Sequence, residues 1–211
     1  MKNDQLHHKR NLRQKREMRK NASKTKMPKI LLLCEGTATE PKYFESLIRA
    51  KRLTSVELEG CGVTPRNILE KAKRALNKKD PVYNEIWCVF DRDNFPLENY
   101  NAAFEMANAN DGIHIAYSNE AFELWYVLHF GCRITEMPRQ DYKKVLTKYL
   151  GFEYKKNLEN LYDLILDKQE TAIKNAENLL SCSETPAMPQ LCNPTTTVHL
   201  LVSRLNNLTG Q

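Results

Sequence analysis

No apolar run in this sequence approaches the ~18 residues that a membrane-spanning helix requires, so no membrane partner is expected. The first residues are basic and carry no apolar h-region, so a secretory signal is not expected either. None of the six cysteines, at 34, 61, 88, 132, 182 and 192, is spaced as CxxC, which argues against a zinc site. Cys34 and Cys88 fall inside apolar runs, where a reduced Cys acts as a small apolar side chain. Cysteine usage therefore points to a reducing cytoplasm without structural disulfides. GxSxG, Walker A and GxGxxG are all missing, which excludes a nucleophile elbow and the familiar glycine-rich phosphate loops. There is no internal repeat.

What is present is a chain of 211 residues with 41% apolar content, enough for one α/β domain with an extension. Charge is unevenly spread. Residues 1–29 hold 11 Lys/Arg against 2 Asp/Glu, a balance of +9; the remaining 182 residues hold 21 against 24, a balance of −3. The basic character thus belongs to a tail, residues 1–27, that is rich in Lys, Arg, Asn and Gln and too poor in core residues to fold alone. Its Lys9, Arg10, Arg13, Lys15, Arg16, Arg19 and Lys20 are suited to holding a nucleic-acid backbone without reading its sequence. Residues 28–131 form the expected α/β domain, and 132–211 a helical extension packed on the same core.

Apolar patterning predicts a strand over 28–34, unbroken enough to be covered on both faces. A helix follows, with Phe44, Leu47, Ile48 and Lys51 on its inner edge, and Thr37 and Glu40 at capping-box spacing ahead of it. A short strand over 56–62 and a helix from Thr64-Pro65 to Leu76 come next, with Pro at the first helical position. A strand over 85–90 is followed by a helix opening at Asn94-Phe95-Pro96, with Tyr100, Ala103, Phe104 and Ala107 on one stripe. Residues 113–117 are a strand, and 120–130 a helix. The alternation argues a mostly parallel sheet with helices on its faces. Beyond Cys132, helices are expected over 139–150, 157–166 and 168–181, then a loop over 184–194. A last helix carries Val198, Leu201, Val202 and Leu205, with Thr195 or Thr196 as its N-cap.

Two of these strands run into acid. The first ends in Glu35-Gly36, and the third in Asp91-Arg92-Asp93. Acids at the carboxyl ends of parallel strands meet at the mouth of the sheet, where α/β proteins place their sites. Asp91 and Asp93, at i and i+2 in extended chain, face the same way and repel unless a cation lies between them. Carboxylate oxygens are the ligands of hard divalent ions. The plainer alternatives are a solvated strand-end acid at Glu35 and a surface salt bridge from Arg92 to one Asp. Glu123 sits in Ala121-Phe122-Glu123-Leu124-Trp125-Tyr126-Val127-Leu128-His129-Phe130, apolar nearly all round, so it should be buried and in need of a metal, a Lys or an Arg. An acid in a first helical turn also favours the helix dipole. His129 shares that stripe and is more naturally a hydrogen-bonded core residue. Glu40 is accounted for by the capping box, with a site role second.

Taken in order, Cys34-Glu35-Gly36, Thr39-Glu40, Tyr43-Phe44, Phe90-Asp91-Arg92-Asp93, Ser118-Asn119, Phe122-Glu123-Leu124-Trp125, Leu128-His129-Phe130 and Asn193-Pro194-Thr195-Thr196 resemble the RloB family of Toprim-like bacterial proteins, over roughly residues 28–206. The resemblance implies a Toprim-like α/β fold with a C-terminal helical extension. In that fold an acid after the first strand and a DxD after a later one hold Mg²⁺ (or Mn²⁺) for phosphodiester chemistry. Carried onto this chain, Glu35, Asp91 and Asp93 are the catalytic and metal-holding residues; the Toprim pattern gives Glu123 and His129 no role, and these two, from the RloB-like segment, and Glu40 stand as additional candidates. It also implies an AAA-type ATPase partner and a role in restriction or anti-phage defence.

The leading expectation is a metal-dependent nuclease acting on DNA or RNA. The rivals are a non-catalytic module that binds nucleic acid or a protein partner, and a phosphatase-type phosphotransferase, since Asp-x-Asp after a strand also serves there.

Overall fold

The computed structural model describes residues 27–92, 96–132, 135–181 and 192–208. The basic residues Lys9 to Lys20 and the second acid of the DxD, Asp93, lie outside them.

Four strands run in parallel: β1 (Ile30–Cys34), β2 (Val56–Gly60), β3 (Glu85–Asp91) and β4 (Ile113–Asn119). Helices α1 (Thr39–Lys51), α2 (Pro65–Leu76) and α3 (Leu97–Asn108) connect them. The sheet order is β2-β1-β3-β4-β5, in which β5 (Thr195–Thr196) is a short antiparallel edge strand beside β4. Five helical pieces complete the described chain: α4 (Glu123–Leu128), α5 (Asp141–Leu150), α6 (Leu161–Ile165) with a 3₁₀ turn over Leu166–Lys168, α7 (Gln169–Ser181) and α8 (Val198–Asn206). This is the mixed α/β architecture expected from the alternating pattern. Among the described residues no helix is long and apolar enough to cross a membrane.

Period-2 alternation sorts the strand side chains onto two cores. Leu31, Leu33, Ile86, Cys88 and Phe90 face α2 and α3. Ile30, Leu32, Cys34, Trp87 and Val89 face the opposite layer, which holds α1 and α4 together with the helices that follow. Tyr142, Leu146, Tyr162, Ile165, Ala176 and Leu201 all enter this second core, so the C-terminal helices share it with the sheet. Because helices cover both faces, β1 is buried at every position, as its unbroken apolar run predicts. Arg204 of α8 makes a bidentate pair with Glu85 at the start of β3, Nε donating to Oε2 at 3.1 Å and Nη2 to Oε1 at 2.5 Å. That pair ties the last helix to a central strand.

Several local expectations change. The first helix begins at Thr39 with Ala38 as N-cap and no side-chain cap bond, so Thr37 and Glu40 do not form a capping box. Thr195 and Thr196 pair with Asn119 and Ser118 as β5 and Thr197 holds the N-cap position of α8, while Thr196 Oγ1 still accepts from the Val198 N–H that opens the helix, at 3.2 Å. The C-terminal segment therefore returns to the sheet before ending in helix. Its buried hydroxyls serve that return: Thr196 Oγ1 lies 3.0 Å from Ser118 Oγ, and Thr197 Oγ1 accepts from the Tyr117 N–H at 3.0 Å. The helix expected over 120–130 is shortened to Glu123–Leu128, and β4 runs on through Asn119.

Candidate functional site

Chain direction reverses between β1 and β3. From β1 the chain crosses to β2 on one side, then returns over β1 to β3 on the other. Such a switch point leaves a crevice outside the carboxyl ends of the two strands. Glu35 and Asp91 stand at its lips. The Glu35 N–H donates to the Val89 carbonyl at 2.8 Å, which extends the parallel ladder one residue past β1. In return the Asp91 N–H donates to Glu35 Oε2 at 3.2 Å.

Two more carboxylates complete the lining. Glu40, the second residue of α1, is only 6% exposed. Its carboxyl folds back over Gly36, where a Cβ would collide with Oε2 and come within 2.9 Å of Cδ. Gly36 is thus the residue that lets Glu40 lie in the crevice. Glu123 opens α4 and is 3% exposed. Together Glu35, Glu40, Asp91 and Glu123 wall a cavity of about 680 Å³, with the 36–39 loop and Gly62–Thr64 on one side and Arg139 and Lys156 on the other.

The two cations come from loops of the helical part. Arg139 Nη2 is 3.8 Å from Asp91 Oδ2, and Lys156 Nζ is 3.6 Å from Glu123 Oε1. Tyr154 Oη donates to the same Glu123 oxygen at 3.4 Å. The backbone holds both loops in place. The Arg139 N–H donates to Glu120 Oε2 at 3.1 Å, and Lys42 of α1 donates to the Asn157 carbonyl at 3.0 Å.

Two cations do not balance this group of acids. Burial pushes the Glu35 carboxyl from its usual 4.5 up to about 7, and Glu40 adds to the rise; the Asp91 N–H and Arg139 oppose it. Asp91 is raised well above its ordinary range, first by burial and then by Glu40 and Glu123, against Arg139 and the Phe122 N–H. Glu40 is raised by burial and by Glu123. Among the described residues, Asp91 Oδ1 is also buried without a hydrogen-bond partner. Like charges gathered in low dielectric hold protons for want of a counter-charge.

An all-oxygen donor set of this kind fits a hard divalent cation such as Mg²⁺ or Mn²⁺. The orphaned Asp91 oxygen is the group that such an ion would satisfy. Among the described residues, no three carboxylate, His or Cys groups converge tightly enough to cage an ion as they stand. The fit is therefore one of chemistry and placement.

Of the other candidates, His129 lies elsewhere. It is 2% exposed, with Nδ1 2.9 Å from the Trp125 carbonyl, and it does not line the cavity. Burial lowers its pKa to about 4, so it is neutral in the core. The guanidinium of Arg92 lies 5.4 Å from the centre of the Tyr100 ring. The cation placed at Asp91 is Arg139, which no local pattern marks. The need of buried Glu123 for a Lys or Arg was legible, although not that Lys156 supplies it.

The fold and site define an α/β protein with an acidic crevice at the sheet's switch point, flanked by two cations from its helical layer. The model of the RloB family, described as RloB-like protein, matches residues 30–205, and the chain belongs to that family. No curated protein and no solved structure matches the chain.

Proposed function

We propose that this RloB-like chain is a metal-dependent nuclease that hydrolyses nucleic-acid phosphodiesters. The observation that carries the reading is the convergence of Glu35, Glu40, Asp91 and Glu123 on one cavity, where burial and then neighbouring carboxylates push Glu35, Glu40 and Asp91 toward protonation. Glu35, Asp91 and Asp93 would hold Mg²⁺ or Mn²⁺. A bound divalent ion supplies a more acidic water and neutralises charge building on the phosphate. Alternatively Glu35, with a pKa of about 7 in the metal-free site, would move a proton at its Oε atoms near neutral pH and leave the ion to Asp91 and Asp93. Arg139 and Lys156, released from Asp91 and Glu123, would receive the phosphate oxygens. The tail cations between Lys9 and Lys20 would add backbone affinity. A defence or restriction setting and an AAA-type ATPase partner belong to this proposal on the strength of the resemblance alone.

The test is cleavage of plasmid, single-stranded DNA and total tRNA with Mg²⁺ or Mn²⁺, against Asp91→Ala and Asp93→Ala proteins. Cutting by the wild type and not by the variants is the expected result. Equal cutting by Asp91→Ala overturns the mechanism.

A second reading, a module that binds nucleic acid without cutting it, is favoured by one observation. Arg139 and Lys156 already sit 3.8 and 3.6 Å from Asp91 and Glu123. Calorimetry separates the two readings. Salt-sensitive nucleic-acid binding with no uptake of divalent ion, even in the presence of substrate, selects the module.

A further inference from the structure

A second cavity, of about 830 Å³, adjoins the acidic one and shares Glu123, Arg139 and Lys156 with it as a common wall. Beyond that wall its character reverses. Lys143 of α5 and Lys155 of the following loop join Arg139 and Lys156 around it, over Tyr142 and Tyr154. Both tyrosines are nearly fully buried, so the base is rigid. All four cations are exposed, with side chains between 41 and 66% accessible. Glu153 offsets part of the charge, pairing with Lys143 at 2.6 Å and lying 4.0 Å from Lys155. Glu123, which lines the same cavity 3.6 Å from Lys156, offsets a further charge, so four cations against two carboxylates leave a surplus of two positive charges on one concave surface, in a chain whose body is otherwise mildly acidic.

We infer that this cavity is a phosphate subsite for a single nucleic-acid strand, holding the backbone that leads away from the phosphodiester in the acidic crevice. The inference rests on the nuclease reading for its direction and on the cavity's own chemistry for its ligand. Its size is that of a pocket for one small ligand, about a nucleotide, and not of a face that accepts a duplex. Lysines on flexible stems bind phosphate as point charges and carry no base specificity. The subsite therefore fixes where the strand lies and leaves sequence unread. Arg139 and Lys156 stand at the junction, within reach of both cavities, so a strand crossing the wall meets a cation at each step.

The test is lysine footprinting of the full chain in EDTA, so that strand binding is read with no cutting required. Acetylation of each lysine is followed by mass spectrometry, with and without a 12-residue oligothymidine or oligouridine. Reaction at Lys143, Lys155 and Lys156 is expected to fall several-fold. Lys78 and Lys79, on the turn after α2 in the opposite helical layer, should be unaffected. In parallel, Lys143→Gln/Lys155→Gln should lower the slope of log affinity against log salt by about 1.4, since each single-strand phosphate contact contributes about 0.7. That difference amounts to about 25-fold in affinity at 0.1 M salt if the two proteins converge at 1 M. The inference is overturned if the three lysines react equally with and without oligonucleotide while lysines of residues 1–26 are protected. It is also overturned if polyglutamate protects them and oligonucleotides do not, which assigns the surface to an acidic protein partner. A chain that passes this test and fails to cut keeps the subsite and loses the nuclease reading.

Discussion

Replacing Glu35 by Gln should stabilise the folded chain at alkaline pH, and the structure sets the size and the pH window. Glu35 has a pKa of about 7 in the fold against 4.5 for an ordinary carboxyl, chiefly because it is partly buried. The native state thus holds a proton that the unfolded chain has released between about pH 4.5 and pH 7. Where the native state binds more protons, stability falls as pH rises. The penalty is absent below the unfolded pKa, grows through the window and is complete above about pH 7. At ~1.4 kcal/mol per pKa unit, the rise corresponds to roughly 3 kcal/mol. Solvent screening of a part-exposed side chain reduces the expected value to about 2 kcal/mol. Gln retains an oxygen to accept from the Asp91 N–H, so the existing hydrogen bond survives. In EDTA, Glu35→Gln should melt about 4–8 °C above wild type at pH 8, and the gap should close toward pH 4.5. The assay is thermal denaturation by circular dichroism across that range. A gap at pH 8 that is zero, or one that does not shrink with acid, would refute the electrostatic account of the crevice.

Other perturbations separate the site from its scaffold. Gly36→Ala pushes the Glu40 carboxyl out of the crevice; nuclease activity should drop about 100-fold while the melting temperature moves little, because the obstructing atoms are the far end of a flexible side chain. Glu123→Ala should free Lys156 and relieve the repulsion on Asp91; NMR titration of the Asp91 carboxyl is expected to show a lower pKa, with no change arguing against the coupling. His129→Ala opens a hole in the core and breaks the bond to the Trp125 carbonyl; it should cost about 2–4 kcal/mol in urea unfolding, and metal affinity of the residual folded protein should match wild type.

Glu35 and Asp91 were legible as partners because β1 and β3 announce themselves as fully buried strands, and parallel strands end on the same side of a sheet. Glu123 was legible as a buried acid in want of a counter-ion because its helix is apolar all round. Glu40 was misassigned by a short-range rule. Thr37 and Glu40 have the right spacing, yet the loop after β1 runs on to Ala38 before the helix starts, and Gly36 gives the freed carboxyl a place to fold. The Thr195-Thr196 step has the composition of an N-cap. It becomes a strand because the edge of β4 beside Ser118 and Asn119 offers unpaired backbone groups.

From residues alone, the chain determines the four parallel strands and the helices between them, which faces are apolar, and that acids stand at two strand ends, because these depend on periodicity and on near neighbours. Tertiary structure decides which acids share a cavity and which cations answer them. Arg139 and Lys156 lie in loops without periodic pattern, and they reach Asp91 and Glu123 only because the C-terminal helices dock on the same face of the sheet as α1. Contacts of that kind are set by packing between distant parts of the chain, which no local spacing encodes.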